Sequence, residues 1–267
     1  MTTSLAAAAC AVLRAGEPED KVALSHRIAQ EWRDGALAPG GDERPPDRPA
    51  RPALPLLRPP RDMKRRRAAG SREGRIALLH ALAHIELNAI DLAWDLVARF
   101  GGPDRPREFF DDWIGVAEEE AIHFALVARR LAACGARYGD LPAHDGLWEA
   151  AEATAGDFLA RLAVVPLVLE ARGLDVTPEM IRRLERAGDP DSAAILDRIY
   201  RDEVGHVAVG ARWFETLCRE RGLDPTATLR DRVSRHFTGA LKPPFNEAAR
   251  TAAGLPRAYY APETAVG

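Results

Sequence analysis

Cysteines, aromatic residues and long apolar runs are scarce in this chain of 267 residues. Its three cysteines, Cys10, Cys134 and Cys218, lie far apart and form no C-x-x-C pair. This pattern excludes a disulfide-rich scaffold and a rubredoxin-type iron site, and it is typical of a reduced cytoplasmic protein. No apolar run reaches the length of a membrane span, so no membrane partner is expected.

A strong excess of charge of one sign is also missing. The 37 Lys and Arg residues nearly balance the 40 Asp and Glu residues, which leaves a net charge of -3. A general nucleic-acid surface is therefore not expected. Residues 5–13 are apolar but follow no Lys or Arg, so an N-terminal helix is expected there rather than a signal peptide.

The first 70 residues differ in composition from the rest. Residues 3–15 and 19–34 have the pattern of helices, whereas residues 36–67 are rich in Pro, Arg and Gly. Proline removes backbone donors and blocks helix formation, so this stretch is predicted to be an extended connector. It ends in the basic run Lys64-Arg65-Arg66-Arg67, which is either a solvated face or a binding site for phosphate or RNA.

From residue 72 onward, apolar residues recur every three or four positions and no strand pattern competes. The periodicity predicts long helices over residues 72–100, 107–134, 156–172 and 190–221. Shorter helices are predicted over residues 147–153, 177–187 and 225–240. The connection between the second and third long helices is longer than those within each pair, which is the topology of a ferritin-like bundle.

We therefore predict an all-α fold in three segments. Residues 1–70 form an N-terminal helical arm and connector, and residues 225–267 form a C-terminal helix and tail. Between them, residues 71–224 form a ferritin-like four-helix bundle of two antiparallel helix pairs joined by a long crossover.

Two short runs place a carboxylate and an imidazole three residues apart, E-A-I-H at 120–123 and E-V-G-H at 203–206. A single glutamate precedes each run at nearly equal distance, Glu86 by 34 residues and Glu170 by 33. Positions three apart share a helix face, so both side chains of each run can reach one metal ion. The candidate metal ligands are therefore Glu86, Glu120, His123, Glu170, Glu203 and His206.

These residue types indicate a redox-active dimetal centre. Four carboxylates offset two divalent charges, and oxygen-rich ligation with one imidazole per metal suits iron or manganese better than zinc or copper. We expect two iron ions, with manganese as the alternative. Glu120 and Glu203 are the candidate catalytic carboxylates. The alternative interpretation is that all six residues are ordinary surface or core side chains.

Several neighbouring residues have weaker signals. Asp202 and Glu119 could orient His123 and His206, respectively, because a ligating histidine commonly donates its second N–H to a carboxylate. Pro166 removes a helical hydrogen bond and predicts a kink or widened turn beside Glu170. Three tryptophans, at positions 94, 113 and 213, are expected in the core.

Three further histidines are not predicted to be ligands. His80 and His84 lie off the predicted inward line of their helix, where His84 could hold the N-terminal arm. His144 is expected to be a structural turn residue, with a place in a pocket as the alternative.

Five segments of the chain have a recognisable sequence: HALAHIELNAIDLAWD, FFDDWIGVAEEEAIHF, YGDLPAHDGLWEAA, VVPLVLEARGLDVTP and RDEVGHVAVGARWF. Through these segments the chain resembles the ferritin-like superfamily, in particular an uncharacterised bacterial branch known as a domain of unknown function. The resemblance covers about residues 72–224. More distantly, the layout is similar to the tRNA-modifying di-iron hydroxylase.

The resemblance implies a di-iron-type site at the six candidate ligands, but it supplies no substrate. Ribonucleotide reductase small subunits keep a radical tyrosine one turn after the first ligand histidine. Here that position is Val127, so a stored tyrosyl radical is not expected there. The Cys-rich iron module of rubrerythrins is missing as well.

The leading functional hypothesis is an oxidase or monooxygenase that depends on O2 or peroxide. Its expected partners are O2 or peroxide, a small organic substrate and an electron donor, with no nucleic acid and a dimer left open. A non-catalytic iron-binding or ferroxidase-type storage protein is the first alternative. An RNA-modifying hydroxylase is the second, supported by the basic run at 64–67.

Overall fold

A computed structural model describes residues 4–59, 62–63 and 70–261. This part of the chain contains helices, two isolated bridges, Ser4–Ala38 and Leu57–Ala143, and no strand. The predicted all-α class is therefore confirmed. The basic run at 64–67 and the first residue of the predicted helix 3–15 lie outside the described residues.

Most helices begin and end within a few residues of the sequence prediction. The N-terminal pair and the two long helices that follow keep their predicted places, and the connector from residue 36 contains no helix up to residue 59. The helices are α1 Leu5–Arg14, α2 Pro18–Arg33, α3 Arg72–Phe100, α4 Arg107–Ala133, α5 Gly146–Ala153, α6 Phe158–Val164, α7 Ala171–Arg186, α8 Pro190–Glu220, α9 Pro225–His236 and α10 Glu247–Ala252.

The chain is divided into two compact units. The first comprises residues 1–149 and 183–195, and the second comprises residues 150–182 and 196–267. In the first unit, α3 and α4 pack along each other, α1 packs on α3, and α2 packs on α4. Local signals explain where α3 begins and ends. The Ser71 side chain accepts a hydrogen bond from the Gly74 amide, and Gly101 terminates the helix.

A buried ion pair fastens the N-terminal helices to α3. Lys21 of α2 and Asp91 of α3 are both fully buried, and Nζ of Lys21 lies 2.6 Å from Oδ1 of Asp91. Lys21 also donates to the carbonyl of Val12, and Nη2 of Arg51 lies 3.2 Å from Oδ2 of Asp91. Because each buried charge has a partner, the arm and the connector are held in one arrangement on α3.

Helical backbone runs from Phe158 to Arg186 without a break, through a π-helix at Val165–Glu170. The predicted end at Gly173 and restart at Thr177 are therefore wrong. Helix propensity disfavours glycine by about 1 kcal/mol and proline by about 3 kcal/mol. Burial of Leu174 and Leu184, both fully buried, offsets that cost.

The C-terminal segment is held to the second unit by a buried arginine. Arg250 of α10 is 2% exposed, and its guanidinium makes two hydrogen bonds to the Asp175 carboxylate of α7. Helix α10 was not predicted, because its six residues are too few to show a periodic pattern. Helix α9 ends at His236, four residues before the predicted end, because Phe237 is extended.

Helix α3 is long and apolar enough to cross a membrane by length and composition, contrary to the expectation from the sequence. However, 72% of its most apolar window is buried inside the fold. Burial of Glu86, Asp91 and Asp95 on the same helix is typical of a protein core, because charged side chains are costly in contact with lipid. Cytoplasmic location stays a prediction.

Asp189 caps α8 and contacts α4 in the first unit. Its carboxylate accepts from the Ser192 amide at 3.1 Å and from the Ser192 hydroxyl at 2.8 Å, and Nη2 of Arg130 lies 2.7 Å from it. Burial raises the pKa of Asp189, but these hydrogen bonds and the Arg130 charge outweigh it and hold that pKa below the usual 3.8.

Asp189→Asn is expected to lower the free energy of unfolding by about 2 kcal/mol at pH 7. Asparagine caps helices as well as aspartate does, so the loss reports the charge. Because the folded pKa is depressed, the unfolded chain binds the proton more readily, and the carboxylate's contribution disappears as pH falls below 3.8. Urea unfolding at pH 7 and at a pH below 3.8 measures the difference in the free energy of unfolding between the variant and the wild type. An equal gap between variant and wild type at neutral and acid pH would contradict it.

Candidate metal centre

The first unit brings three of the six predicted ligands together. Glu120 and His123 lie one turn apart on α4, and Oε2 of Glu120 is 3.2 Å from Nδ1 of His123. Glu86 of α3 faces them, with its Oε2 3.5 Å from the same nitrogen. All three residues are buried, at 3%, 1% and 0% exposure for Glu86, Glu120 and His123. The packing of α3 on α4 therefore converts the sequence spacing into a cluster.

The electrostatics of this cluster show its affinity for positive charge. Burial alone lowers the pKa of His123, but hydrogen bonds and charge attraction from Glu120 and Glu86 overcome it and raise that pKa to about 11. In this arrangement, the imidazolium supplies the positive charge that the two buried carboxylates require. A bound cation could take over that role.

The donor set fits a metal ion. Glu86, Glu120 and His123 each offer one ligand atom, and these atoms lie within 4.8 Å of one another. Both carboxylates approach the same histidine nitrogen, Nδ1, so this nitrogen points into the cluster. Carboxylate oxygen and imidazole nitrogen are suitable donors for iron and manganese, and a metal would relieve the burial of two like charges.

The second unit repeats the Glu–His part of this arrangement. Nδ1 of His206 lies 3.7 Å from Oε2 of Glu203, one turn before it on α8. His206 is 1% exposed and the Glu203 side chain 15% exposed. Glu170 ends the π-helix. Three ligand atoms are buried here: Oε2 of Glu170, Oε2 of Glu203 and Nδ1 of His206. The Glu170 and Glu203 residues as a whole are partly buried.

The π-helix confirms the widened turn predicted at Pro166. Proline has no backbone N–H and cannot donate the i→i−4 hydrogen bond of an α-helix. The backbone around Pro166 can therefore adopt the wider turn without breaking such a bond. Gly210 of α8 faces Pro166 closely, because a Cβ on Gly210 would lie 2.4 Å from Cβ of Pro166. The absence of a side chain at position 210 thus permits this approach, four residues before Glu170.

Gly210→Ala is expected to destabilise the metal-free protein by about 1–3 kcal/mol, because the added methyl overlaps Pro166. Gly205→Ala is the matched control in the same helix. Nothing lies within 4 Å of a Cβ at Gly205, so helix propensity should stabilise that variant by up to about 1 kcal/mol. Urea unfolding measures both. Equal stabilities of the two variants would show that the contact at Pro166 imposes no constraint.

The structure thus brings Glu86, Glu120 and His123 together in the first unit, and it places Glu203 beside His206 in the second. Convergence of all six ligands in one coordination sphere stays a prediction. So do the orienting roles of Asp202 and Glu119. Asp202 makes an ion pair with Nε of Arg198 at 2.5 Å, and Glu119 is half-buried.

The histidines on the opposite face of α3 are buried, contrary to the predicted helix orientation. His80 is 1% exposed and accepts from the amides of Gly139 and Leu141, while His84 is 4% exposed. The ring of His84 is hydrogen-bonded to Tyr138, to the His144 carbonyl and to the side-chain amide of Asn88, so it holds the loop after α4 and not the N-terminal arm. Burial lowers the pKa of His84 to about 4, which keeps its ring neutral.

The remaining predicted residues have structural roles. Nδ1 of His144 accepts from the Gly146 amide at 3.3 Å, which confirms a turn residue. Trp94, Trp113 and Trp213 are buried, as predicted, and Nε1 of Trp94 donates to the Ser25 hydroxyl. The Tyr138–His84 contact was not predicted. The paired histidines at 80 and 84 on an apolar helix were the only signal for it.

Comparisons with known proteins define the family. A model of a family described as proteins of unknown function, DUF455, matches residues 14–261. This range is wider than the resemblance at residues 72–224. An uncharacterized protein of Haemophilus influenzae is 44% identical over 209 residues, which covers 76% of this chain and 72% of that relative. No solved structure matches the chain. The chain therefore belongs to the DUF455 family of proteins of unknown function.

Proposed function

We propose that this protein is a carboxylate-bridged dimetal oxidoreductase that uses O2 or peroxide on a small organic substrate. Two iron ions are the proposed cofactor, with manganese as the alternative metal. The observation that carries the proposal is the buried cluster of Glu86, Glu120 and His123. Its two carboxylates and one imidazole offer one half of a dimetal ligand shell.

The second half of the shell is assigned to Glu170, Glu203 and His206. Three observations support it: the repeated E-x-x-H spacing, the matched distance to the preceding glutamate, and the inward burial of the three ligand atoms. In this proposal the four long helical segments form a ferritin-like bundle, and each histidine serves one metal. The shell then has four carboxylate charges, which two divalent ions neutralise.

The chain's own side chains have three tasks in this proposal. His123 would present Nδ1 to a metal ion, and the proton that this nitrogen shares with Glu86 and Glu120 would be released on metal binding. Glu120 and Glu203 are the proposed catalytic carboxylates, whose oxygens would hold the metal ions. The buried surroundings exclude bulk water. When bound, the metals supply one-electron chemistry and activation of O2.

A ferroxidase-type storage protein would use the same ligands, so the proposal needs an experiment that separates oxidation of a substrate from mineral formation. Metal-free protein is loaded anaerobically with Fe(II) and then exposed to air. Near-ultraviolet ferric absorption and O2 uptake are recorded, with and without candidate organic substrates. His123→Ala should suppress the ferric signal, whereas His144→Ala should retain it, because His144 only supports a turn.

For an oxidoreductase, at least one substrate should accelerate O2 uptake beyond the background rate. Uptake of many iron ions per chain into a mineral, without a substrate effect, would replace the proposal by storage. An undiminished ferric signal in His123→Ala would remove the ligand assignment itself.

A further inference from the structure

Three exposed leucines lie close together on the connector that precedes α3. Leu54, Leu56 and Leu57 are 52%, 57% and 44% exposed. Among the residues that the structure describes, the other large apolar side chains with comparable exposure are Ile85 and Leu223. A single exposed leucine is ordinary, but three within four residues form a patch of the kind that contacts a partner surface. These three side chains are called the leucine patch below.

The backbone under the leucine patch is fixed to the rest of the first unit. The Arg58 amide donates to the Ala143 carbonyl at 2.8 Å, and the Ala143 amide donates to the Leu56 carbonyl at 3.1 Å. Before the patch, Nη2 of Arg51 donates to Oδ1 of Asn88 on α3 at 2.7 Å. Since the backbone is held on both sides while the side chains stay outside, the fold presents the leucines to their surroundings.

Positive charge follows the leucine patch along the chain. Residues 58–67 contain six Lys or Arg and one Asp, which gives a net charge of +5. Arg58 is exposed and directly follows Leu57. Lys64 comes seven residues after Leu57, so the basic run begins no farther than about 25 Å from the patch. Apolar side chains and cations are therefore within reach of one common surface.

The loop beside the leucine patch does not cancel this charge. A Cβ on Gly139 would lie 3.3 Å from Cβ of Leu54, so the loop after α4 packs against the patch. Its exposed charges, Arg137 and Asp140, have opposite signs, and the Asp140 carboxylate accepts from the Arg137 amide at 2.7 Å. The connector's excess of positive charge therefore favours a negatively charged partner surface.

We propose that the leucine patch is a docking site for an anionic lipid surface. The leucines enter the boundary between headgroups and acyl chains, while the cations of residues 58–67 attract the anionic headgroups. Stable attachment to a membrane commonly needs two such signals together. The expectation of no membrane partner rested on the length of apolar runs, and a peripheral contact needs no spanning segment.

A nucleic acid would also attract the basic run, but the leucine patch favours lipid. Single-stranded RNA is held by bases that stack on aromatic side chains. No Phe, Tyr or Trp occurs between Trp32 and Trp94, and leucine offers no flat ring for stacking. The inference goes beyond the proposed function, because none of its residues belongs to the metal cluster and docking requires no metal.

Flotation of the metal-free protein with vesicles tests the docking. Vesicles of phosphatidylcholine alone are compared with vesicles that also contain phosphatidylglycerol, and the partition coefficient is measured. Wild type should bind the anionic vesicles, and added NaCl should weaken that binding. Leu56→Ser combined with Leu57→Ser should lower the partition coefficient by about 10-fold or more, because less apolar surface then leaves water. Leu223→Ser is the matched control, since Leu223 is 40% exposed in the second unit.

The charge contribution is tested by changing Arg65, Arg66 and Arg67 to Gln together. Each cation near an anionic surface strengthens binding by a factor of about five, so this variant should lose about 100-fold in the partition coefficient. Equal binding of wild type to neutral and anionic vesicles would contradict the electrostatic part of the proposal.

Three further results would overturn the docking site. Wild type could fail to float with anionic vesicles, and RNA binding by that protein would then assign the basic run to nucleic acid. The leucine double variant could float as well as wild type. Size-exclusion chromatography could show a dimer that the double variant dissociates, which would make the patch an interface between copies of the chain.

Thermal unfolding shows whether each variant is folded. Should the double variant unfold, hydrogen exchange of the wild type replaces it. Anionic vesicles should slow amide exchange in residues 53–57, and an unchanged rate there contradicts the docking.

Discussion

Anaerobic addition of Fe(II) to the metal-free protein is expected to raise its thermal unfolding midpoint by roughly 10 °C. A ligand that binds only the folded state adds about 4 kcal/mol when its free concentration is about 1,000 times Kd. For a chain of this size, each kcal/mol moves the midpoint by about 2–4 °C. The effect is large because the metal would replace a proton at His123 and compensate two buried carboxylates.

Glu120→Gln should remove most of that rise, since an amide keeps the side-chain volume but not the charge. Glu108→Gln is the matched control, because Glu108 lies on the same helix and is exposed. Differential scanning calorimetry with and without Fe(II) gives the comparison. An equal rise in both variants would mean that the ion stabilises the protein from somewhere other than this cluster.

Replacing Asp91 by leucine is expected to cost about 3–5 kcal/mol of folding free energy, because it leaves the buried Lys21 without its counter-ion. Burial lowers the pKa of Lys21, while Asp91 raises it. Without Asp91, the lysine would lose the interaction that stabilises its charged form. The expected consequence is a loosened N-terminal arm, since Lys21 and Arg51 both reach Asp91 from it.

The double variant Lys21→Met/Asp91→Leu should recover most of the loss, because an apolar pair needs no counter-ion. Glu31→Gln is the surface control. It breaks an exposed pair with Arg27 at 3.7 Å and should cost less than about 1 kcal/mol. Urea unfolding of the wild type and of these three variants measures their free energies of unfolding. A double variant as unstable as Asp91→Leu would show that packing, and not the unpaired charge, causes the loss.

Much of the helical layout follows from local sequence signals. The Ser71 cap and Gly101 bound α3, and Gly135, at φ 81°, follows the end of α4. The same kind of signal failed at Gly173 and Pro178, where the helix continues. Both residues weaken a helix locally, but burial of Leu174 and Leu184 belongs to tertiary packing, which periodicity in one segment does not weigh.

Some contacts of the candidate site and its surroundings were likewise predictable from the sequence, and others were not. The Glu120–His123 contact was predictable because both residues lie on one turn, and the inward position of Glu86 followed from its apolar neighbours. The Tyr138–His84 hydrogen bond joins residues 54 apart across a loop without periodicity, so no spacing rule could reveal it. The arginine anchor of α10 also depends on a distant partner, Asp175.

The most direct test of the dimetal proposal is the number of ions bound per chain. Equilibrium dialysis against Fe(II) under anaerobic conditions, followed by metal analysis and Mössbauer spectroscopy, is predicted to give about two high-spin ions per chain. Glu86→Gln and Glu203→Gln should each reduce that number, because each removes a carboxylate from one half of the proposed shell. Fewer than one ion per chain, or two ions that persist in both variants, would contradict the dimetal centre.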